Sequence, residues 1–390
     1  MKKQLASLIL VLIFALVAGN STYAKSFDVG GGKLDAYASI RAFTMFNHVD
    51  GGDVVDRDHS QFSIGVFSHS RIGVKWEQGS FTFHNELGMG GSTVSGSNVT
   101  LRLLYGEYKF AGGEKGRIRI GQFNNIASTG AFYDHKLNGD DALFGFGTLG
   151  DANRRVGINY EIGGFSLSAL SMRQDSSNVL KPYSDGGYYA EFEELMPRIE
   201  ASYSISDVFK AGGSVVHTSV KADHYNSTTG QAVSNQRYGF NAYHLMAAAA
   251  PKISDNVRII ISGFYSVNGG TYGMTRIGYG YDSTNSVGLR LALPELKAGT
   301  DKAEMDDTAV AGGAIALHVE NFEVGFGYQN ARNDAWIDDI NGMSVYTNYR
   351  FNLSPNFKIV PEFGYYHCGD MGNVKNTKGY QAGMQFRIDI

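Results

Sequence analysis

The chain is poor in the features that mark several common protein classes. Its 390 residues hold one cysteine, Cys368, and a single thiol cannot build a disulfide framework. Beyond residue 24 no run approaches the roughly 20 consecutive apolar residues that a helical membrane span requires. No stretch there repeats its apolar residues at the helical period either. Charge of one sign is also scarce: 34 basic and 38 acidic side chains leave a formal charge of −4. That balance excludes a strongly basic nucleic-acid-binding surface. With 43% hydrophobic residues, the chain is too apolar for the low-hydropathy, high-charge composition of disorder.

Glycine and aromatics are abundant. There are 50 Gly, 24 Phe and 23 Tyr, with glycine well above its average share of roughly 7%. The first residues read as an export signal. Lys2 and Lys3 precede the apolar stretch Leu5–Ala18, and Thr22 and Ala24 supply the small residues before a cut. We expect residues 1–24 to be a signal peptide and 25–390 to form one domain. An exported chain agrees weakly with a lone cysteine, which we expect to be structural.

From Lys33 onward the pattern has period two. In residues 322–330, Phe322, Val324, Phe326 and Tyr328 alternate with Glu323, Gly325, Gly327 and Gln329. In 198–205, Ile199, Ala201, Tyr203 and Ile205 alternate with Arg198, Glu200, Ser202 and Ser204. Successive side chains of a strand leave opposite faces, so this is β-structure. Very short connections, such as Gly163-Gly164 and Glu320-Asn321, alternate with long polar ones at 47–61, 123–152, 174–195, 221–235 and 268–307. That asymmetry belongs to transmembrane β-barrels with tight turns at one rim and long loops at the other.

The pattern predicts sixteen strands: 33–46, 62–76, 80–90, 98–110, 116–122, 153–161, 164–173, 196–205, 208–220, 236–250, 256–267, 308–319, 322–330, 342–352, 357–367 and 379–390. An eighteen-strand barrel, drawing on residues 284–293, is the main alternative within the class. A soluble sandwich or β-helix is the alternative outside it. Such folds do not need aromatics near the strand ends of the apolar face, where Trp76, Phe81, Tyr105, Tyr160, Phe165, Tyr203, Phe209, Phe322, Tyr328 and Phe357 fall. The closing strand has Tyr380, Ala382, Met384, Phe386, Ile388 and Ile390 on its apolar face. Pairing it with the first strand would remove the open edge.

Three stretches, Ser70-Arg71-Ile72-Gly73-Val74-Lys75, Arg102-Leu103-Leu104-Tyr105-Gly106 and Gly116-Arg117-Ile118-Arg119-Ile120-Gly121-Gln122, make the chain resemble the general porins of Gram-negative outer membranes. Leu34-Asp35-Ala36-Tyr37 and the terminal strand also fit, although the family usually ends in Phe and this chain ends in Ile390. The resemblance implies a homotrimeric barrel in outer-membrane lipid, passing small hydrophilic solutes and ions without a cofactor. It also implies a third loop folded into the lumen. Here that loop is 123–152, where Leu143-Phe144-Gly145-Phe146-Gly147 stands nearest to the family's Pro-Glu-Phe-Gly-Gly-Asp stretch.

A narrowed pore needs charge on both sides. The loop holds Asp134, Asp140, Asp141 and Asp151 around His135 and Lys136. The lumen phase of the first six strands holds Arg41, Arg71, Lys75, Arg102, Arg117, Arg119 and Arg155, against Asp35, Glu86 and Glu161. Arg71, Arg102 and Arg155 match positions the family uses as constriction arginines. Acid facing base would set a transverse field across a narrow gap. We therefore expect the constriction at Arg41, Arg71, Lys75, Arg102, Arg119 and Arg155 against the four loop aspartates. Tyr37, Tyr108, Tyr346 and Tyr366 fall in the lumen phase as well. Ala38, Ala42, Gly65, Ala309, Ala311 and Gly313 are small residues expected on the outward phase, where subunits could pack. Competing functions are a substrate-specific channel, a barrel enzyme and a surface adhesin or structural barrel. An enzyme is disfavoured because His84, His217, His244 and His318 are scattered and no Ser sits in a nucleophile motif. No histidine pair has the helical spacing of a metal site, and no nucleic-acid partner is expected.

Overall fold

The computed structural model describes residues 25–50, 59–92, 96–111, 115–129, 146–149, 154–171, 188–225, 232–272, 276–281, 287–291, 295–296, 305–334, 338–369 and 377–390. The chain forms a closed, antiparallel barrel of sixteen strands. In chain order they are β1 Gly32–Asp50, β2 His59–Gln78, β3 Phe81–Ser92, β4 Gly96–Lys109, β5 Arg117–Phe123, β6 Arg155–Ile162 and β7 Phe165–Leu170. Next come β8, in two runs Tyr188–Leu195 and Arg198–Ile205, β9 Phe209–Tyr225, β10, as Ala232–Ala249 and Lys252–Ser254, and β11 Val257–Val267. The last five are β12 Ala309–Val319, β13 Phe322–Arg332, β14, as Ile340–Tyr349 and Phe351–Ser354, β15 Phe357–Cys368 and β16 Thr377–Asp389.

Prolines account for two of the interruptions. Pro197 lies in the gap of β8 and Pro251 in that of β10, and neither has an N–H to give to the ladder. Pro361 of β15 faces the third interruption, since the β14 register jumps from Asn348↔Glu362 to Phe351↔Ile359.

Tight turns follow the same local logic. Gly163 and Gly164 join β6 to β7 with φ of 54° and 85°. A two-residue hairpin with both central residues at positive φ matches the strand twist, and glycine adopts it without a Cβ penalty. Closure is by β16 against β1, in register from Ser39↔Asp389 to Asp50↔Lys378. The main chains of Ala38 and Ile390 exchange two hydrogen bonds of 2.9 Å. Below that point the N-terminal arm, Lys25–Val29, pairs with β1 from Ala36 to Gly32. The terminal residue is thus followed on β1 by the arm, and the edge stays covered.

The outward face is apolar. Phe62, Leu245, Val99 and Ile120 are more than half exposed, and many similar residues share that face. An apolar surface of this extent far exceeds what a water-soluble protein leaves bare; it suits lipid. Aromatic rings cluster toward its rims. Phe81, Tyr108, Phe110 and Tyr160 form a chain of ring contacts at 4.8, 5.3 and 6.4 Å near the short turns. Tyr365 and Tyr380 pack at 5.1 Å near the opposite end of their strands.

Three glycine–tyrosine pairs fit together on the inner wall. Tyr37 lies across Gly73, Tyr346 across Gly325 and Tyr366 across Gly379, so closely that a Cβ on any of these glycines would strike the ring. Glycine on one strand creates the shelf, and tyrosine on the next fills it.

Every predicted strand is present, and the described part of 284–293, Val287–Leu291, stays outside the barrel as expected. Val287–Leu291 pairs with Arg276–Tyr281 in a separate two-stranded sheet, which removes the eighteen-strand alternative. The eighth strand starts earlier than expected, at Tyr188, because its first run pairs with the upper half of β9. The expected faces of three residues need correction. Tyr105 points into the lumen and Tyr108 outward, the reverse of expectation, because the β3–β4 ladder carries a bulge at Glu86/Leu87. One extra residue exchanges the two faces for the rest of the strand. Gly65 lies opposite Phe43, whose side chain is buried on the inner side, because the β1–β2 ladder also shifts between Ser39 and Ala42.

Candidate functional site in the lumen

The inner wall of β1–β6 carries a continuous polar network. Glu86 on β3 accepts Arg102 Nε at 2.6 Å and the Tyr37 hydroxyl at 2.8 Å, with Arg71 Nε at 3.6 Å. Tyr37 also meets His84 Nε2 at 2.7 Å, and His84 Nδ1 meets the Tyr105 hydroxyl at 3.0 Å. The Tyr37 proton goes to Glu86. The chain is therefore complete when His84 Nε2–H donates to Tyr37 and Tyr105 donates to His84 Nδ1. The Arg119 guanidinium lies 4.7 Å from the centre of the Tyr105 ring and bonds Glu107 at 2.9 Å. Arg117 joins Glu107 at 3.5 Å and Glu161 at 2.7 Å. From Arg71 to Glu161 the groups form a fixed electrostatic surface along the wall.

The predicted wall residues form two clusters and three separate positions. Arg71 and Arg102 meet at Glu86, with Arg102 buried and Arg71 partly exposed. Arg119 and Arg117 meet at Glu107. Lys75 sits lower, 2.5 Å from Glu77. Arg41 is buried on the inner face of β1, its Nε 3.2 Å from Ser39 Oγ. Arg155 begins β6 and donates to the Arg154 carbonyl at 2.9 Å. Asp134, Asp140, Asp141 and Asp151 lie outside the described residues.

Sequence reasoning missed Glu107, because carrying the phase of Arg102 along β4 put it on the lipid side. The sign of the charge held the missing information. Arg102 and Glu107 are an odd number of residues apart, neither belongs in lipid, and only a bulge puts both inside. Glu107 and Glu77 make the wall less one-sidedly basic than expected.

The third connection enters the barrel. Its described ends, 124–129 and 146–149, are largely buried, with Ala127, Thr129, Phe146 and Leu149 each at 0% exposure. They touch the wall opposite the polar network. Glu200 on β8 accepts the Ile126 N–H at 2.8 Å, and His244 on β10 bonds the Ala127 carbonyl at 2.8 Å. That carbonyl only accepts, so His244 Nε2 carries the proton. Gln329 on β13 accepts the Gly147 N–H at 3.3 Å, and Ser344 on β14 donates to the Phe146 carbonyl at 3.1 Å. Phe146, Leu149 and Ala127 join Val216, Met246, Phe264, Val310, Ile340 and Cys368 in one buried apolar cluster inside the barrel. Cys368 is thus structural, as expected.

A sixteen-strand closed barrel with an apolar exterior and a charged inner wall has the architecture of a transmembrane β-barrel. Solved structures show the same fold. The outer-membrane channel DcaP of Acinetobacter baumannii aligns at a TM-score of 0.57, covering 93% of this chain and 99% of its own at 14% identity. OmpT of Vibrio cholerae, an outer-membrane protein, aligns at 0.52, covering 94% of this chain and 100% of its own, also at 14% identity. No protein-family model and no curated protein matches the chain.

Proposed function

We propose that the chain is an outer-membrane porin, a water-filled channel for passive diffusion of small hydrophilic solutes and ions. The observation that carries this reading is the seating of the described ends of the third connection, 124–129 and 146–149, inside the barrel on β8–β14, opposite the charged wall of β1–β6. A barrel of this strand number is wide enough for an aqueous channel, and the described ends of the third connection take up part of its interior across from Arg71, Arg102 and Arg119. In this reading Arg41, Lys75 and Arg155 complete the basic side, and Asp134, Asp140, Asp141 and Asp151 supply the acidic side. Arginine suits the wall because its charge does not depend on pH.

The remaining elements follow from that role. Residues 1–24 would be removed after export, the apolar belt would contact outer-membrane lipid, and no cofactor or nucleic acid is needed. Ala38, Ala42, Ala311 and Gly313 give the outer face low relief, which supports packing as a homotrimer. A non-enzymatic role is supported by the histidines, which bond to structural neighbours: His84 to two tyrosines, His217 to Asn241, His244 to Ala127 and His318 to Glu323. Replacing Arg71, Arg102 and Arg155 together by Ser tests the constriction. Single-channel conductance should rise and selectivity should move toward cations; unchanged values in planar bilayers would defeat the assignment.

A substrate-specific channel is the second reading, favoured by the Tyr37–His84–Tyr105 cluster on the lumen wall. Swelling of liposomes in sugars, amino acids and organic anions separates the two. Rates ordered by size alone mean a general porin, and a saturable profile means a specific one.

A further inference from the structure

A cavity of about 570 Å³ opens at the short-turn rim of the barrel. Three neighbouring turns, β8–β9, β10–β11 and β12–β13, enclose it together with the adjoining strand ends. Its size falls within the range of small-molecule pockets, roughly 300–1,000 Å³. The ladder sets three basic groups at one level. Lys252 on β10 is the register partner of Arg258 on β11, and Arg258 is the partner of His318 on β12. Acidic groups reach the same cavity from the turns: Asp207, Asp255 and Glu320. Two of these six groups have neighbours of their own. Glu320 accepts Asn256 Nδ2 at 3.3 Å, which ties two of the turns together. His318 Nδ1 meets Glu323 at 3.1 Å, and Glu323 also accepts the Tyr346 hydroxyl. Among the described residues, the side chains of Lys252, Arg258, Asp207 and Asp255 make no ion pair or hydrogen bond.

Charges of both signs therefore line one cavity without neutralising each other. The free cations stand on strands and the free acids on turns, so the backbone keeps the two signs apart. A solute with one charge would meet an unlike group and a like group together, and the two effects offset. A solute with both charges can satisfy both. We propose that this cavity is a docking site for zwitterionic solutes, the chemistry of amino acids and short peptides. Arg258, with Lys252 beside it, takes the carboxylate, which a guanidinium can hold through two parallel hydrogen bonds. Asp207 and Asp255 take the ammonium group. All four side chains are at least partly exposed, so water and salt screen them and the solute is held weakly and released quickly. That suits a station at a channel mouth. The site deepens the channel reading and rests on it for its place in transport, whereas the binding can be measured without conduction.

The test is saturation-transfer NMR on the whole protein in detergent micelles, with three probes. Alanyl-alanine carries both charges, its N-acetyl form lacks the ammonium, and its C-terminal amide lacks the carboxylate. The parent should bind alanyl-alanine at least about fivefold more tightly than either analogue, the effect of roughly 1 kcal/mol from one partly exposed charge contact. Arg258→Gln should weaken alanyl-alanine to the level of the amide, and Asp207→Asn with Asp255→Asn should weaken it to the level of the N-acetyl form. Lys252→Gln, at an exposed position, should weaken it by about twofold and serves if Arg258→Gln does not fold. Equal binding of alanyl-alanine and its N-acetyl form would mean a plain anion site and would overturn the proposal. Parental affinity in Arg258→Gln, or in Lys252→Gln if the former does not fold, would overturn it too. In planar bilayers, alanyl-alanine on the short-turn side should interrupt the current more often than the same concentration on the long-loop side. A protein that binds the dipeptide without conducting would defeat the channel reading and uphold the site; one that conducts without binding it would defeat the site alone.

Discussion

Glu86 offers the sharpest perturbation of the lumen wall. Its carboxylate is nearly buried and is bound by Arg102 Nε at 2.6 Å and the Tyr37 hydroxyl at 2.8 Å, with Arg71 Nε at 3.6 Å. Glu86→Gln keeps the shape and removes the charge. Breaking a buried pair by removing one partner typically costs about 3–5 kcal/mol. The lumen hydrates Arg71 but not Arg102, whose side chain is 6% exposed, so about 3 kcal/mol is the expected loss. Two readouts should move together. Urea unfolding in lipid vesicles, followed by loss of the heat-modifiable gel band, should shift to lower denaturant. Reversal potentials in a salt gradient should move toward anions, because the wall loses a negative charge while both guanidiniums stay. Parental stability and parental selectivity in the variant would refute the network as drawn. A stability loss without any selectivity change would show that Glu86 does not face the permeation path.

Other perturbations test the two faces of the barrel. Leu245, 63% exposed on the outer face of β10, should tolerate Ile but lose about 2–4 kcal/mol when replaced by Arg, as expected near a bilayer midplane; vesicle unfolding titrations measure this, and a neutral result would mean the face is not in lipid. Gly325→Val should drive a side chain into the Tyr346 ring and cost about 1–3 kcal/mol, read by the same assay, whereas Gly163→Ala in an open turn at φ 54° should cost only about 1–2 kcal/mol.

Much of this architecture was legible in the residues. Period-two patterning located every strand because a barrel wall has two chemically different faces, and FEVGFGYQN separates them residue by residue. Short turns were legible in Gly163-Gly164 and Glu320-Asn321 because few residues support positive φ. The phase of β4 was not, since a bulge changes the face without changing the composition. Tyr105 and Tyr108 are equally plausible on either side, and only Glu107 carried a hint. Of the site, the basic wall could be read from charges on one phase. The seat of the third connection could not. Gly313, Gly327 and Gly342 look like any strand glycines until Phe146 and Gly147 are placed against them, and nothing local in the sequence links residues so far apart. Its partners Glu200, His244, Gln329 and Ser344 have the same character, as wall residues whose role depends on which backbone groups enter the lumen beside them.

The central claim is that this barrel holds a water-filled path past a charged wall. Single-channel recording of the purified protein in a planar bilayer tests it most directly. The account predicts discrete, roughly ohmic conductance steps whose ion selectivity shifts when Arg71, Arg102 and Arg155 become Ser. A folded, membrane-inserted protein that gives no conductance steps would contradict it.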